Sequence, residues 1–207
     1  MAYCSVNDLA GFGYSINDET IPILERICVT ASNRVEAYCH QRFTLTKGAK
    51  EKHLARAKNG RIAIFPKNLV VNAINTIDFM PMWKTKIKYE IKDYIYDESN
   101  AVIIGETNAP DGEYIVTLNY DYGYPDSEIP SDLIQATAFM AIPLLDDYFS
   151  ASETGVSGLK MLQQGKLKIE RGAISSSAKL DEATGFPLSA ISLLNGGGYV
   201  RVRGDYL

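Results

Sequence analysis

A Ser/His/Asp triad in this 207-residue chain would have to be built around His40 or His53, its only histidines, and the thiols on offer for metal binding are Cys4, Cys28 and Cys39. A Ser/His/Asp hydrolase needs a nucleophile turn of the G-x-S-x-G kind, and the sequence contains none. Cys39 and His40 are adjacent and Cys28 lies eleven residues earlier, which is not the paired C-x2-C spacing of a zinc site. Neighbouring side chains on a helix also point in different directions, so buried small thiols beside a surface imidazole are expected. Asp146, Asp147 and Glu153 have the oxygen chemistry of a hard-cation site, but adjacent carboxylates at a helix end are ordinarily solvated. The three glycines from Gly196 lack the Lys and Ser/Thr of a phosphate loop. The expectation is a protein with no catalytic site, no metal and no cofactor.

The elements that must carry these residues belong to an ordinary globular chain, 46% hydrophobic and 22% charged. An odd number of cysteines and no basic-then-apolar leader after Met1 predict a product of the cytoplasm with reduced thiols. No apolar run approaches the ~20 residues of a membrane helix, so a soluble protein is expected. The most telling segment is LIQATAFMAIPLL, Leu133 to Leu145, in which only Gln135 and Thr137 offer polar groups. A helix apolar on nearly every side must be covered on nearly every side, either by its own chain or by neighbouring subunits. Ser131, preceded by Pro130, predicts its cap, with an end near Asp147 and a kink at Pro143.

Upstream, Ile21, Leu24, Cys28, Ala31, Val35 and Tyr38 recur in steps of three and four, which predicts a helix beginning near Asn17 or Asp18 and stopping around His40 to Phe43. Pro22 falls in its first turn, where a missing N–H does no harm. Short β-type runs follow from Arg61, Val70, Lys86, Tyr94, Ala101 and Glu113, with turn signals at Lys58-Asn59-Gly60 and Pro110-Asp111-Gly112. They predict an antiparallel unit of five or six strands. After the second helix a Gly- and Ser-bearing connection leads to a strand or arm, KLKIERGAI, then one or two helical turns, PLSAISLLN. The three glycines then precede a short alternating strand, Tyr199, Val200, Arg201, Val202 and Arg203. Such a strand suits addition to a neighbour's sheet, although a frayed end is as common. Tyr120, Tyr122 and Tyr124 share one face of an extended segment, either as contact residues or as strand filling.

Charge is segregated although the net is only −4. From Asp93 to Leu159 there are 13 carboxylates and no Lys or Arg, leaving 21 basic against 12 acidic residues elsewhere. Lys47, Lys50, Lys52, Arg56, Lys58, Arg61 and Lys67 form a basic cluster just upstream of the sheet, offset only by Glu51. Two solvated faces would explain this. So would complementary surfaces for a head-to-tail contact in a ring. Tracking of nucleic-acid phosphates by the cluster is a third reading, opposed by the acidic total and the lack of a recognition helix or paired aromatic motif.

Two segments carry a resemblance. ASNRVEAYCHQRF, from Ala31 to Phe43, and VTLNYDYGYPDSEIPSDLIQATAFMA, from Val116 to Ala141, are similar to the tailed-bacteriophage head-to-tail connector family of adaptor or head-completion proteins. The first family pattern falls on Ala31, Ser32, Glu36, Tyr38, Arg42 and Phe43. The second, Tyr-x-x-Gly-Tyr followed by Ile/Val-Pro, a polar cap and an Ala-rich helix, falls on Tyr120, Gly123, Tyr124, Ile129, Pro130, Ser131 and Asp132. The likeness spans roughly residues 5 to 150, and residues 151 to 207 depart from shorter members.

The resemblance implies an α+β fold, a helical pair or bundle with an inserted antiparallel β unit and an extended C-terminal arm, forming rings. Residues 1–150 would be the connector core and 151–207 a C-terminal extension. A homo-oligomeric ring, typically twelve-fold, would sit beneath the portal protein in the virion, extend the channel through which DNA passes without specific binding, and dock tail or stopper proteins. Carboxylates lining that channel would repel phosphates. Leu133, Ile134, Ala138, Met140, Ala141 and Leu145 would then be the subunit interface, and Tyr199 to Arg203 the portal or tail docking arm. A tail-completion or baseplate-type binding module is the alternative, followed by a small nucleic-acid-binding protein. No membrane partner is expected.

Overall fold

Asn17 and Thr20 open the first long helix by exchanging bonds, the Thr20 N–H to Asn17 Oδ1 at 2.8 Å and the Asn17 N–H to Thr20 Oγ1 at 3.0 Å. The computed structural model describes residues 2–12, 17–18, 20–83, 87–91, 93–98, 100–154, 161–164, 167–170 and 179–200. Two compact units result, one from residues 1–40 and 129–207, the other from residues 41–128.

The first unit is helical. α1 (Val6–Ala10), which sequence periodicity is too short to reveal, is held by a capping box between Ser5 and Asp8. α2 (Ile21–Cys39) buries the apolar seam the spacing predicts, including Leu24, Cys28, Ala31 and Val35, and stops where His40 turns left-handed at φ 55°. α3 (Ser131–Thr154) is longer than expected and holds Pro143 within it. α4 (Leu188–Gly196) follows, and α1, α2 and α4 all pack on α3. A separate two-stranded ribbon pairs residues 161–164 with 167–170.

This packing corrects the proposed subunit interface. Leu133, Met140, Ala141 and Leu145 are fully buried and Ala138 is nearly so within the single chain, leaving only Ile134 half-buried. The choice posed by an all-round apolar helix is resolved by the chain's own helices, one of them supplied by the region expected to be a mere extension. The boundary expected at residue 150 is therefore replaced by a helical unit that includes α4 and an inserted unit at 41–128. Thr137 joins this interior at no cost, because its hydroxyl donates to the Leu133 carbonyl at 2.7 Å.

Tyr199 also leaves the proposed arm. It is 9% exposed, and its N–H donates to the Leu194 carbonyl, closing the end of α4. Val200 is half-buried, and Arg201, Val202 and Arg203 lie outside the described residues.

The second unit is an antiparallel sheet of β1 (Thr46–Lys58), β2 (Arg61–Ile64), β3 (Val71–Pro81), β4 (Tyr89–Glu90), β5 (Asp93–Asp97), β6 (Val102–Glu106) and β7 (Gly112–Tyr122) in the order β4-β3-β7-β1-β2-β6-β5. The sheet curls, so that the Tyr96 and Tyr94 hydroxyls on one outer strand donate to the Leu69 and Ile74 carbonyls before and on β3. Inside the curl, Phe79 contacts Tyr89 and Tyr114 and a core including Ile62, Ile64, Val116 and Leu118 is fully buried. Of the basic cluster expected upstream of the sheet, Lys47, Lys50, Lys52, Arg56 and Lys58 lie on its central strand β1, Arg61 on β2 and Lys67 between β2 and β3.

Candidate interaction surfaces

β1 alternates two roles along one backbone, as a strand of period two must. Glu51, His53, Ala55 and Ala57 face inward, while Lys50, Lys52, Leu54, Arg56 and Lys58 are exposed on the other face. Inward, the Glu51 carboxylate is the hub of a polar lock. Its Oε1 accepts from the Tyr120 hydroxyl at 2.7 Å and from Asn68 Nδ2 at 3.4 Å, and its Oε2 accepts from the Lys67 N–H at 3.0 Å and lies 3.1 Å from His53 Nε2. Burial alone would raise this carboxyl, but the bonds from His53, Tyr120 and Lys67 outweigh it and hold it below the ordinary glutamate range. Burial and the bond to Glu51 push the Tyr120 phenol upward. Asn68 extends the lock, its Oδ1 accepting from the Arg42 N–H at 3.0 Å, and Gln41 Oε1 accepts from the Leu69 N–H at 2.9 Å. Carboxylate, imidazole and phenol meet here, yet each is bonded to its neighbours as a fastening of the β2–β3 connection. His53 had no role legible in sequence because the strand bearing it was not recognised.

Outward, register sets up two surfaces on the same unit. Leu54 lies opposite Ile115, which lies opposite Met80, giving an apolar row across β1, β7 and β3. Lys52 and Arg56 flank Leu54, which is 65% exposed. At the other end of the strand order, Ala63, Ile104 and Ile95 form a second apolar row across β2, β6 and β5. Beside it Asp93 faces Glu106, and Asp97 and Glu98 follow at the far end of β5. Cations thus predominate on β1 beside Leu54, and carboxylates predominate beside Ile95 and Ile104. Arg56 stands opposite Glu113 and Arg61 opposite Glu106, so the cations of β1 and β2 are not an unbroken phosphate track.

The segments that carry the family resemblance meet in this unit. The Tyr124 N–H donates to the Phe43 carbonyl at 2.7 Å, the Leu45 N–H donates to the Tyr124 carbonyl at 3.0 Å, and Thr44 and Tyr124 form a parallel bridge. Gly123 sits at φ +93°, where a Cβ would overlap the Thr44 carbonyl and approach the Phe43 oxygen to 2.7 Å. Substituting Gly123 by Ala should therefore cost about 2 kcal/mol or more, from left-handed strain plus displaced backbone. Gly185→Ala, at φ +70° in open space, should cost about 1 kcal/mol. Equal losses in urea titrations of the two variants would contradict this account of the crossing. Phe43, from the first motif, is fully buried. In the helical unit Ser32 Oγ accepts from the Tyr3 N–H at 2.9 Å, and the Tyr3 hydroxyl donates to Glu36, giving two more motif residues a packing role.

The remaining chemistry-bearing residues stay apart from these surfaces. His40 is exposed at the end of α2 and Cys39 beside it is buried. Cys4 and Cys28, distant in sequence, lie in hydrogen-bond contact, which raises the Cys4 thiol together with burial. Burial pushes the Cys39 thiol up to about 12. Iodoacetamide at pH 8 should accordingly leave Cys39 unmodified in the folded protein and label it in urea, as peptide mass spectrometry would read; labelling at equal rates would contradict its burial. Asp146 is half-buried and Asp147 exposed, and among the described residues no group of three His, Cys, Asp or Glu could hold a metal ion. Among the described residues, no helix is long and apolar enough to cross a membrane.

No family model and no curated protein match this chain. Among solved structures, a chain from the "Neck of empty GTA particle computed with C6 symmetry" aligns over 96% of this chain and 91% of its own, at 14% identity and a TM-score of 0.44.

Proposed function

We propose that this chain is a structural virion protein of a phage-like particle, an adaptor that assembles as a ring at the head-to-tail joint. On this reading the ring extends the DNA exit channel beneath the portal protein and presents a docking surface to a tail or stopper component. The observation that carries it is the interlock of the two connector-like sequence patterns. Phe43 and Tyr124 lie far apart in the chain, yet their backbones pair directly around Gly123. Two patterns that build one structural feature are a stronger likeness than two independent degenerate matches. The α+β architecture, helices flanking an inserted antiparallel unit, agrees with the same family expectation.

The role is proposed as structural and not enzymatic, since Glu51, His53 and Tyr120 are consumed by mutual bonding. The two differently charged surfaces of the β unit suit the unlike contacts that subunits in a ring make with their neighbours on either side. Residues beyond Val200 remain the candidate arm toward portal or tail. Electron microscopy of particles made without this gene tests the proposal. Separate DNA-leaking heads beside complete tails are expected. Heads bearing truncated tails would favour the tail-completion or baseplate-type module instead, and intact virions would overturn both. Retention on immobilised DNA should be weak and abolished by moderate salt, because carboxylates interrupt the cations; retention that survives high salt would favour a nucleic-acid-binding protein.

A further inference from the structure

The single tryptophan of the chain, Trp83, is 76% exposed just after β3. Met82 and, four residues after Trp83 in sequence, Ile87 are also exposed, and the Met82 N–H donates to the Glu113 carbonyl at 3.2 Å, tying the residue before Trp83 to β7. Tryptophan is the side chain most often found carrying the energy of a protein contact. Three lysines, Lys84, Lys86 and Lys88, lie within the same short segment, and no carboxylate occurs between Asp78 and Glu90. A surface that receives this tip must be apolar at its centre and acidic at its edge.

The same unit carries such a surface. Ile95 is 73% exposed and Ile104, its cross-strand neighbour, is 40% exposed. Asp93 and Glu106 border the pair on one side, with Arg61 across from Glu106, and Asp97 and Glu98 border it on the other, so carboxylates outnumber the single cation. The tip follows β3, near one end of the strand order, and the acidic patch occupies β5 and β6 at the other end. Since Trp83 and Ile95 are each about three-quarters exposed, the tip does not cover the patch of its own molecule.

We propose that Trp83 of one copy docks on the Ile95/Ile104 patch of a second copy, with the exposed Lys88 of the same segment facing the carboxylates of the patch. Two different surfaces meet, so each copy offers both halves of the contact again, and the contact propagates into a ring when its rotation closes. This inference rests on the ring reading above and specifies how neighbouring copies meet.

The tryptophan is also the probe. Emission of the wild-type chain should shift to the blue as protein concentration rises, in step with the increase in mass seen by sedimentation. Trp83→Ala and Ile95→Asp should each raise the half-assembly concentration by about tenfold or more, with unchanged circular dichroism because both positions are exposed. Trp83→Cys combined with Ile95→Cys, oxidised with diamide at high concentration, should give a ladder of disulfide-linked oligomers that neither single variant gives. Assembly unaltered by Trp83→Ala and Ile95→Asp would overturn this contact while leaving the ring reading intact. Absence of both the emission shift and the cross-linked ladder at every concentration would also overturn it. A blue shift produced by anionic phospholipid vesicles but not by self-concentration would replace it with a lipid-binding tip. The ring reading itself stands or falls on the particles made without the gene, whichever of these results is obtained.

Discussion

Ala138→Asp is expected to lower stability by more than about 4 kcal/mol, enough to unfold the helical unit of an ordinary domain at 25 °C. Ala138 is 2% exposed on α3, between the buried Thr137 and the buried pair Met140 and Ala141. A carboxylate there would lose its hydration and gain no partner, since the helix is packed by other helices of its own chain. Had α3 faced a neighbouring subunit, the same substitution would have blocked assembly and left a folded monomer. Circular dichroism and sedimentation together separate the two outcomes. A folded monomer of the Ala138→Asp variant that unfolds cooperatively would contradict the burial of α3.

Glu51→Ala should be the next most damaging change, costing about 3 kcal/mol, because it strands the Tyr120 hydroxyl, the Asn68 amide and the Lys67 N–H that the carboxylate now accepts from. Glu51→Gln keeps the shape and should recover part of the loss. The wild-type protein should also weaken in acid for the same reason. The Glu51 carboxyl is held below its ordinary range in the folded state, so its contribution is complete above the unfolded pKa. It fades as pH falls through the lower folded value. Urea midpoints taken from pH 7 downward should fall less steeply in Glu51→Gln than in wild type. Parallel curves would mean that the lock contributes nothing through its charge.

The sequence made α2 and α3 legible because their apolar positions repeat at helical spacing over many turns. It also made six of the seven strands legible, since Ile, Val and Tyr recur in β2, β3, β4, β5, β6 and β7. β1 escaped notice although it is the longest strand. Its inward positions are Ala, His and Glu, and its outward positions are mostly Lys and Arg, so hydrophobic alternation is nearly absent. The strand is central because small residues fit against the aromatic-rich strand β7 and because Glu51 is paid for by four hydrogen-bonding neighbours. The candidate surfaces were hidden for the same reason. Charge segregation was visible along the chain, but which apolar residues the charges border depends on cross-strand register. The cover of α3 was not legible in the sequence because the residues that provide α4 lie beyond the segment the resemblance reaches.

The parallel bridge between Thr44 and Tyr124 has a consequence for how such a chain can be assembled from parts. The strands that enter and leave residues 41–128 are hydrogen-bonded neighbours, so the inserted unit begins and ends at nearly one point. A module with adjacent termini can enter the link between two helices, or be removed and replaced by a short turn, without requiring its host to stretch. Residues 41–128 are thus a portable cassette, one that should fold when expressed alone and whose exchange between relatives would alter surface specificity while the helical host keeps its own core.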